Sequence, residues 1–139
     1  MAAYINTGVY LRILWDELRY NMESQLKENG YEDISPSHGW IFYNTGEEGS
    51  RITDLAAKAR ITKQSMSVLV AQLETGGYVK KLPDPNDKRA WILVLTAKGK
   101  KVKAIGQQIN YKFEERWKDS LGEKDYSVLR QLLATLCEG

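Results

Sequence analysis

The sequence predicts a mainly α-helical chain that carries one small antiparallel β-hairpin. Three observations predict it. Apolar residues recur at helical spacing towards both ends of the chain, two short helical stretches lie close together in its middle, and two runs of alternating type, Tyr78–Leu82 and Ala90–Thr96, follow them directly. Between those runs stands Pro83-Asp84-Pro85-Asn86-Asp87, and Pro, Asn and Asp either fix turn dihedrals or bond their own backbone, so a hairpin loop is the natural reading.

The elements follow in order. Leu11, Leu14, Trp15, Leu18, Met22 and Leu26 mark one face of a helix over about residues 5–28, which Gly30 stops. Ser35-Pro36 supplies an N-cap and first-turn pair for a second helix ending near Thr45-Gly46. Ile52–Ala59 reads as a short helix with Thr53 as its N-cap, Arg60-Ile61-Thr62 as a turn, and Thr62 as the cap of a helix from Lys63 to about Thr75. Met66, Leu69, Val70 and Leu73 give that helix one buried face, and Gly76-Gly77 ends it, because glycine accepts the left-handed conformation common past a helix C-terminus. After the hairpin, Thr96 caps a long helix of about residues 97–118 whose Val102, Ile105, Ile109, Phe113 and Trp117 lie near one stripe. A last helix begins after Gly122 and carries Tyr126, Leu129, Leu132, Leu133 and Leu136.

The central helix pair followed by a hairpin has the order of a helix-turn-helix with a β-wing. Lys63, Gln64, Ser67 and Ala71 face away from the apolar side of the second helix, with Ser65 and Val68 at the margins. Small, polar and cationic groups near a helix start are what a helix needs to approach base edges. Gln64 is the candidate for base readout, since its amide can bond adenine in bidentate fashion; Thr62, Lys63, Ser65 and Ser67 would meet bases or phosphates, and Val68 a thymine methyl. At the hairpin, Lys80, Lys81 and Lys88 would attract phosphate, Arg89 would reach the minor groove or its phosphates, and Asp87 would orient Arg89 and shape the turn. Lys98, Lys100, Lys101 and Lys103 read as a solvated helix face.

The helix pair, Gly77-Tyr78-Val79, Asp84…Asp87-x-Arg89 and Leu95-Thr96-x-x-Gly99, taken as an ordered set, resemble the MarR family of winged-helix transcription regulators. The close resemblance spans roughly residues 51–103. It implies a winged helix-turn-helix flanked by dimerisation helices, with residues 31–96 as the DNA-binding unit and residues 1–30 and 97–139 interlocking across a two-fold axis. It also implies a repressor that occupies a pseudopalindromic operator in double-stranded DNA as a homodimer and releases it when a ligand changes the spacing of the wings. Redox-sensing members of the family carry a cysteine near the N-terminal helix, where this chain has none.

Charge distribution is an independent reading. The chain holds 20 Lys+Arg against 18 Asp+Glu, a net charge of +2. Arg51 to Lys103 holds 12 basic and 4 acidic residues, a balance of +8, leaving −6 elsewhere. A basic module embedded in an acidic chain points to a polyanion partner.

Other classes are disfavoured. No carboxylate pair, nucleophile-base set or phosphate-cradling Gly-rich loop suggests an enzyme, and the lone His38 lacks the companions a metal would need, so no cofactor is expected. The start has no basic n-region and no stretch reaches membrane-spanning length; with Cys137 unable to pair internally, this reads as a cytoplasmic protein with no membrane partner. Aromatic residues Trp15, Tyr20, Tyr31, His38, Trp40, Phe42 and Tyr43 are the candidate lining for a small aromatic ligand, although such spacing also suits ordinary core. The alternative function is a winged-helix module that grips an acidic protein in place of DNA.

Overall fold

The computed structural model describes residues 2–139. Six helices and three strands follow the order α1 (Thr7–Glu28), α2 (Pro36–Asn44), β1 (Ser50–Arg51), α3 (Ile52–Ala59), α4 (Lys63–Thr75), β2 (Val79–Asp84), β3 (Asp87–Leu95), α5 (Ala97–Leu121) and α6 (Glu123–Glu138). The strands form one antiparallel sheet in the order β1-β3-β2. The architecture is a winged helix-turn-helix enclosed by longer helices, as its apolar pattern predicts.

Helix boundaries follow from local chemistry. The Asn6 side chain accepts the Val9 N–H, 3.0 Å, and starts α1. Thr62 accepts the Ser65 N–H and Thr96 the Gly99 N–H, at 3.0 and 3.1 Å, so both predicted threonine caps are made. Thr53 is not a cap. Arg51 still pairs with Ile92 in the sheet, the chain turns helical at Ile52, and Thr53 falls inside the first turn of α3. β1 itself escaped the pattern reading, because two residues carry no period.

The hairpin is tighter than the five-residue turn expected from Pro83–Asp87. Asp84 pairs with Asp87, leaving Pro85-Asn86 as the loop, and the Asp84 carboxylate accepts the Asn86 N–H at 2.9 Å. The register then jumps. Pro83 pairs with Trp91, so Lys88, Arg89 and Ala90 have no partner on β2 and bulge out of β3.

One core joins the module to the ends of two flanking helices. Leu55, Met66, Val70, Leu73, Tyr78 and Leu93 are almost fully buried, and Leu26 of α1 and Val102 of α5 join them. The rest of α1 is partly buried or exposed, and α6 has no buried residue. Glu114 ties α6 to α5 by accepting from the Tyr126 hydroxyl and the Arg130 guanidinium, each at 3.2 Å. Among the described residues, no helix is long and apolar enough to cross a membrane.

Candidate nucleic-acid interface

Helix α4 turns its apolar stripe inward and its polar stripe to solvent. Met66, Val70 and Leu73 are buried, whereas Lys63, Gln64, Ser65, Ser67, Val68 and Ala71 are exposed. Val68 is an apolar side chain left 57% exposed on that outer face. Ser65 is partly engaged, since its hydroxyl accepts from Thr62 at 3.0 Å within the cap. Gly77 ends the helix with φ 79°, while Gly76 stays right-handed, so the left-handed residue is the second of the pair.

Two cations stand at the tip of the wing because of the bulge. Lys88 and Arg89 are exposed and free of ladder pairing, so the ribbon presents both beyond its last regular pair. Asp87 shapes this stretch through the backbone: its Oδ1 accepts the Arg89 N–H at 2.9 Å. The expected orientation of the Arg89 side chain by Asp87 is therefore replaced by an Asx-type turn. Lys80 is exposed on β2; Lys81 lies 3.6 Å from Glu74 of α4 and over the Trp91 ring, which engages its charge within the protein.

The wing is braced by a pair that sequence reasoning missed. Arg51 of β1 donates from Nε and lies with Nη2 at 2.7 Å from Asp84 Oδ2, joining the sheet edge to the hairpin tip. The Asn86 N–H and the Arg51 guanidinium hold the Asp84 carboxyl below its ordinary pKa against the opposing effect of burial, and the arginine is pushed up in return. Residues 33 apart in sequence leave no local signal of such a contact.

The N-terminus of α5 is fastened to the end of α4. Thr96 Oγ1 donates to the Gly77 carbonyl at 2.6 Å, and Lys98 Nζ to the Gly76 carbonyl at 2.7 Å while lying 4.4 Å from the Tyr78 ring centre. Lys98 is thus a helix-end clamp and not part of a merely solvated face. Gly99 faces the Tyr78 carbonyl so closely that an added Cβ would sit 2.0 Å from that oxygen. The Tyr78 hydroxyl donates to Asp33 at 2.6 Å, and burial together with that bond pushes its pKa well above the ordinary range.

A cavity of about 330 Å³ opens between α1, α2 and α5. Trp15, Trp40, Phe42 and Tyr43 line it, and so does Lys103, expected on the solvated face. The other three aromatic candidates lie elsewhere. Tyr20 is 73% exposed, Tyr31 packs at 6.2 Å from the Tyr78 ring, and His38 is buried in a hydrogen-bonded position. Tyr20 and His38 leave the group because residues on opposite sides of one helix cannot share a wall, and Tyr31 because it lies in the loop between α1 and α2.

Comparison with known proteins agrees with this description. Residues 32–90 match the MarR family model. The HTH-type transcriptional regulator FarR of Neisseria gonorrhoeae is 33% identical over 86 residues, which are 61% of this chain and 58% of that protein. This chain therefore spans less than two thirds of the curated relative's length. A crystal structure of MarR superposes with a TM-score of 0.87 at 19% identity, covering 99% of this chain and 92% of the other. Streptococcus pneumoniae FabT, solved in complex with DNA, gives a TM-score of 0.79 at 20% identity, with 94% and 92% covered. Fold and face define a winged helix-turn-helix protein, and residues 32–90 of the chain are similar to the MarR family.

Proposed function

We propose that the protein is a sequence-specific DNA-binding transcription regulator that acts as a homodimer. The observation that carries this reading is the exposed polar face of α4, capped at Thr62 and set in the same module as a wing whose bulge projects Lys88 and Arg89. FarR is a transcriptional regulator by name and FabT was crystallised on DNA, and both support it. Helix α4 enters a major groove, where Gln64 reads a base and Lys63, Ser65, Ser67 and Val68 contact bases or phosphates. Arg89 reaches the minor groove, Lys80 and Lys88 attract phosphate, and Lys81 adds field from its pairing with Glu74.

Residues 1–30 and 97–139 form the dimer frame, with the exposed apolar residues of α1 and α6 covered by a second copy. Two copies place their α4 helices about one DNA turn apart, ~34–36 Å. The cavity bounded by Trp15, Trp40, Phe42 and Tyr43 takes a small aromatic ligand that shifts the protein between DNA-holding and released forms.

Selecting duplexes from a random pool, then titrating salt, tests this. The selected palindrome should outbind random duplex by roughly 10³-fold or more, with affinity for both falling as salt rises through counterion release. Equal affinity for both at every salt concentration would overturn the reading.

A further inference from the structure

Helix α2 stands between the cavity and the helix assigned to base reading. Pro36, Gly39, Trp40 and Tyr43 line the cavity. His38, 4% exposed, is not among the lining residues and reaches instead to α4. Its Nδ1 accepts the Ser35 N–H at 2.9 Å, and a backbone N–H can only donate. The ring proton therefore sits on Nε2, which donates to Gln72 Oε1 of α4 at 2.8 Å. Among the described residues this is the side-chain hydrogen bond that joins α2 to α4. Apolar contacts between the two helices tolerate sliding, whereas a hydrogen bond fixes direction and register. Gln72 and Gln64 are eight residues apart on one helix, ~12 Å along a rigid rod.

Resting on the reading that the cavity takes a ligand, we propose that His38 is a positioning residue through which α2 passes a change in the cavity to α4. The cavity occupant displaces the wall formed by Pro36 and Gly39. His38, held to Ser35 at the start of that helix, moves with it, and Gln72 carries the displacement into the DNA-reading face. Removing the Gln72 acceptor uncouples the cavity from DNA affinity while leaving the apolar core in place.

Gly39→Leu puts an isobutyl group at the cavity wall without any ligand, and the space is open, since an added Cβ there meets nothing within 4 Å. Affinity for the pool-selected duplex should change at least ~5-fold between Gly39→Leu and the parent, the lower end of ordinary coupling. In a Gln72→Ala background the same substitution should change affinity less than ~2-fold, well below that coupling. In a Gln72→Glu background, where a carboxylate oxygen still accepts from His38, the effect should return. Comparing each Gly39→Leu protein with its own background cancels any direct effect of position 72 on DNA. A merely structural role for the bond would lower the urea midpoint of Gln72→Ala and leave the Gly39→Leu effect intact; that result overturns the lever alone. No Gly39→Leu effect in the parent overturns the cavity reading and the lever with it. Should Gly39→Leu lose its helical circular dichroism, Gly39→Met, an unbranched side chain of similar bulk and good helix propensity, takes its place in the same three backgrounds.

Discussion

The winged module and the terminal helices use the same amphipathic spacing, yet they satisfy it in different places. In the module Leu55, Met66, Leu73, Tyr78 and Leu93 are closed off from water within one chain. On α6 no residue is buried, and Leu136 is 78% exposed. α1 lies between, with Leu26 in the core and Val9, Leu11 and Ile13 about half exposed. The lesson is that the apolar pattern is closed within the module and left open on the terminal helices. The module has its core already, whereas covering an exposed apolar side chain of α1 or α6 would contribute at most about 1.5–3 kcal/mol.

The sharpest way to break the comparison is to charge the open side. Leu132→Arg with Leu136→Arg should leave the module's urea transition unchanged, followed by tryptophan fluorescence, while light scattering shows single copies. Affinity for a duplex with two half-sites should fall by roughly 10²–10⁴-fold, since linkage of the two reading heads is lost. A double variant that keeps a two-copy mass and full affinity would place the partner surface elsewhere.

The closed side breaks at Gly99. A Cβ there would lie 2.0 Å from the Tyr78 carbonyl, a backbone atom that cannot swing away. Gly99→Ala should lower module stability by about 3 kcal/mol, the upper part of the usual range for overpacking. Gly39→Ala is the control: a helical glycine with open space around it, where alanine should gain up to ~1 kcal/mol. Urea midpoints that move equally in the two variants would refute the packing account.

How much of this was legible follows from the same division. Thr62, Thr96 and the stripe Met66–Val70–Leu73 signal themselves locally, through caps and a 3.6-residue period, and both caps are made. Gly99 was readable as part of a spaced set, though not its reason, which is the carbonyl it faces. The Arg51–Asp84 brace, the Lys98 clamp and the His38–Gln72 bond join residues 22 to 34 apart; no period or cap encodes such pairs. The aromatic cluster failed for a related reason. Trp15, Tyr20, Tyr31, His38, Trp40, Phe42 and Tyr43 were gathered into one group; helix faces removed Tyr20 and His38, and the α1–α2 loop took Tyr31, leaving Trp15, Trp40, Phe42 and Tyr43 on the cavity.

A smaller effect separates DNA contact from stability within the module. Arg89 is exposed in the bulge and has no acidic partner within ion-pair distance among the described residues. Arg89→Ala should weaken duplex binding by about 1–3 kcal/mol, or ~5- to 150-fold, with the urea midpoint unmoved. Normal gel-shift affinity in that variant would mean the wing tip does not touch DNA.

The smallest expected effect is a pH dependence confined to the wing. Asp84 has its carboxyl pKa lowered in the folded state by the Asn86 N–H and Arg51, so it binds protons less readily folded than unfolded. Its contribution is complete at neutral pH, starts to fade as pH falls to the unfolded carboxylate value of about 3.9, and is gone below the folded one. Asp84→Asn should therefore be less stable than the parent at pH 7, and the gap between them should close as pH falls from 5 towards 3. Light scattering should show the same mass for both proteins across that range, because the brace lies inside the closed module. A stability gap that stays constant with pH would mean that Asp84 supports the hairpin by shape and hydrogen bonding alone, without its charge.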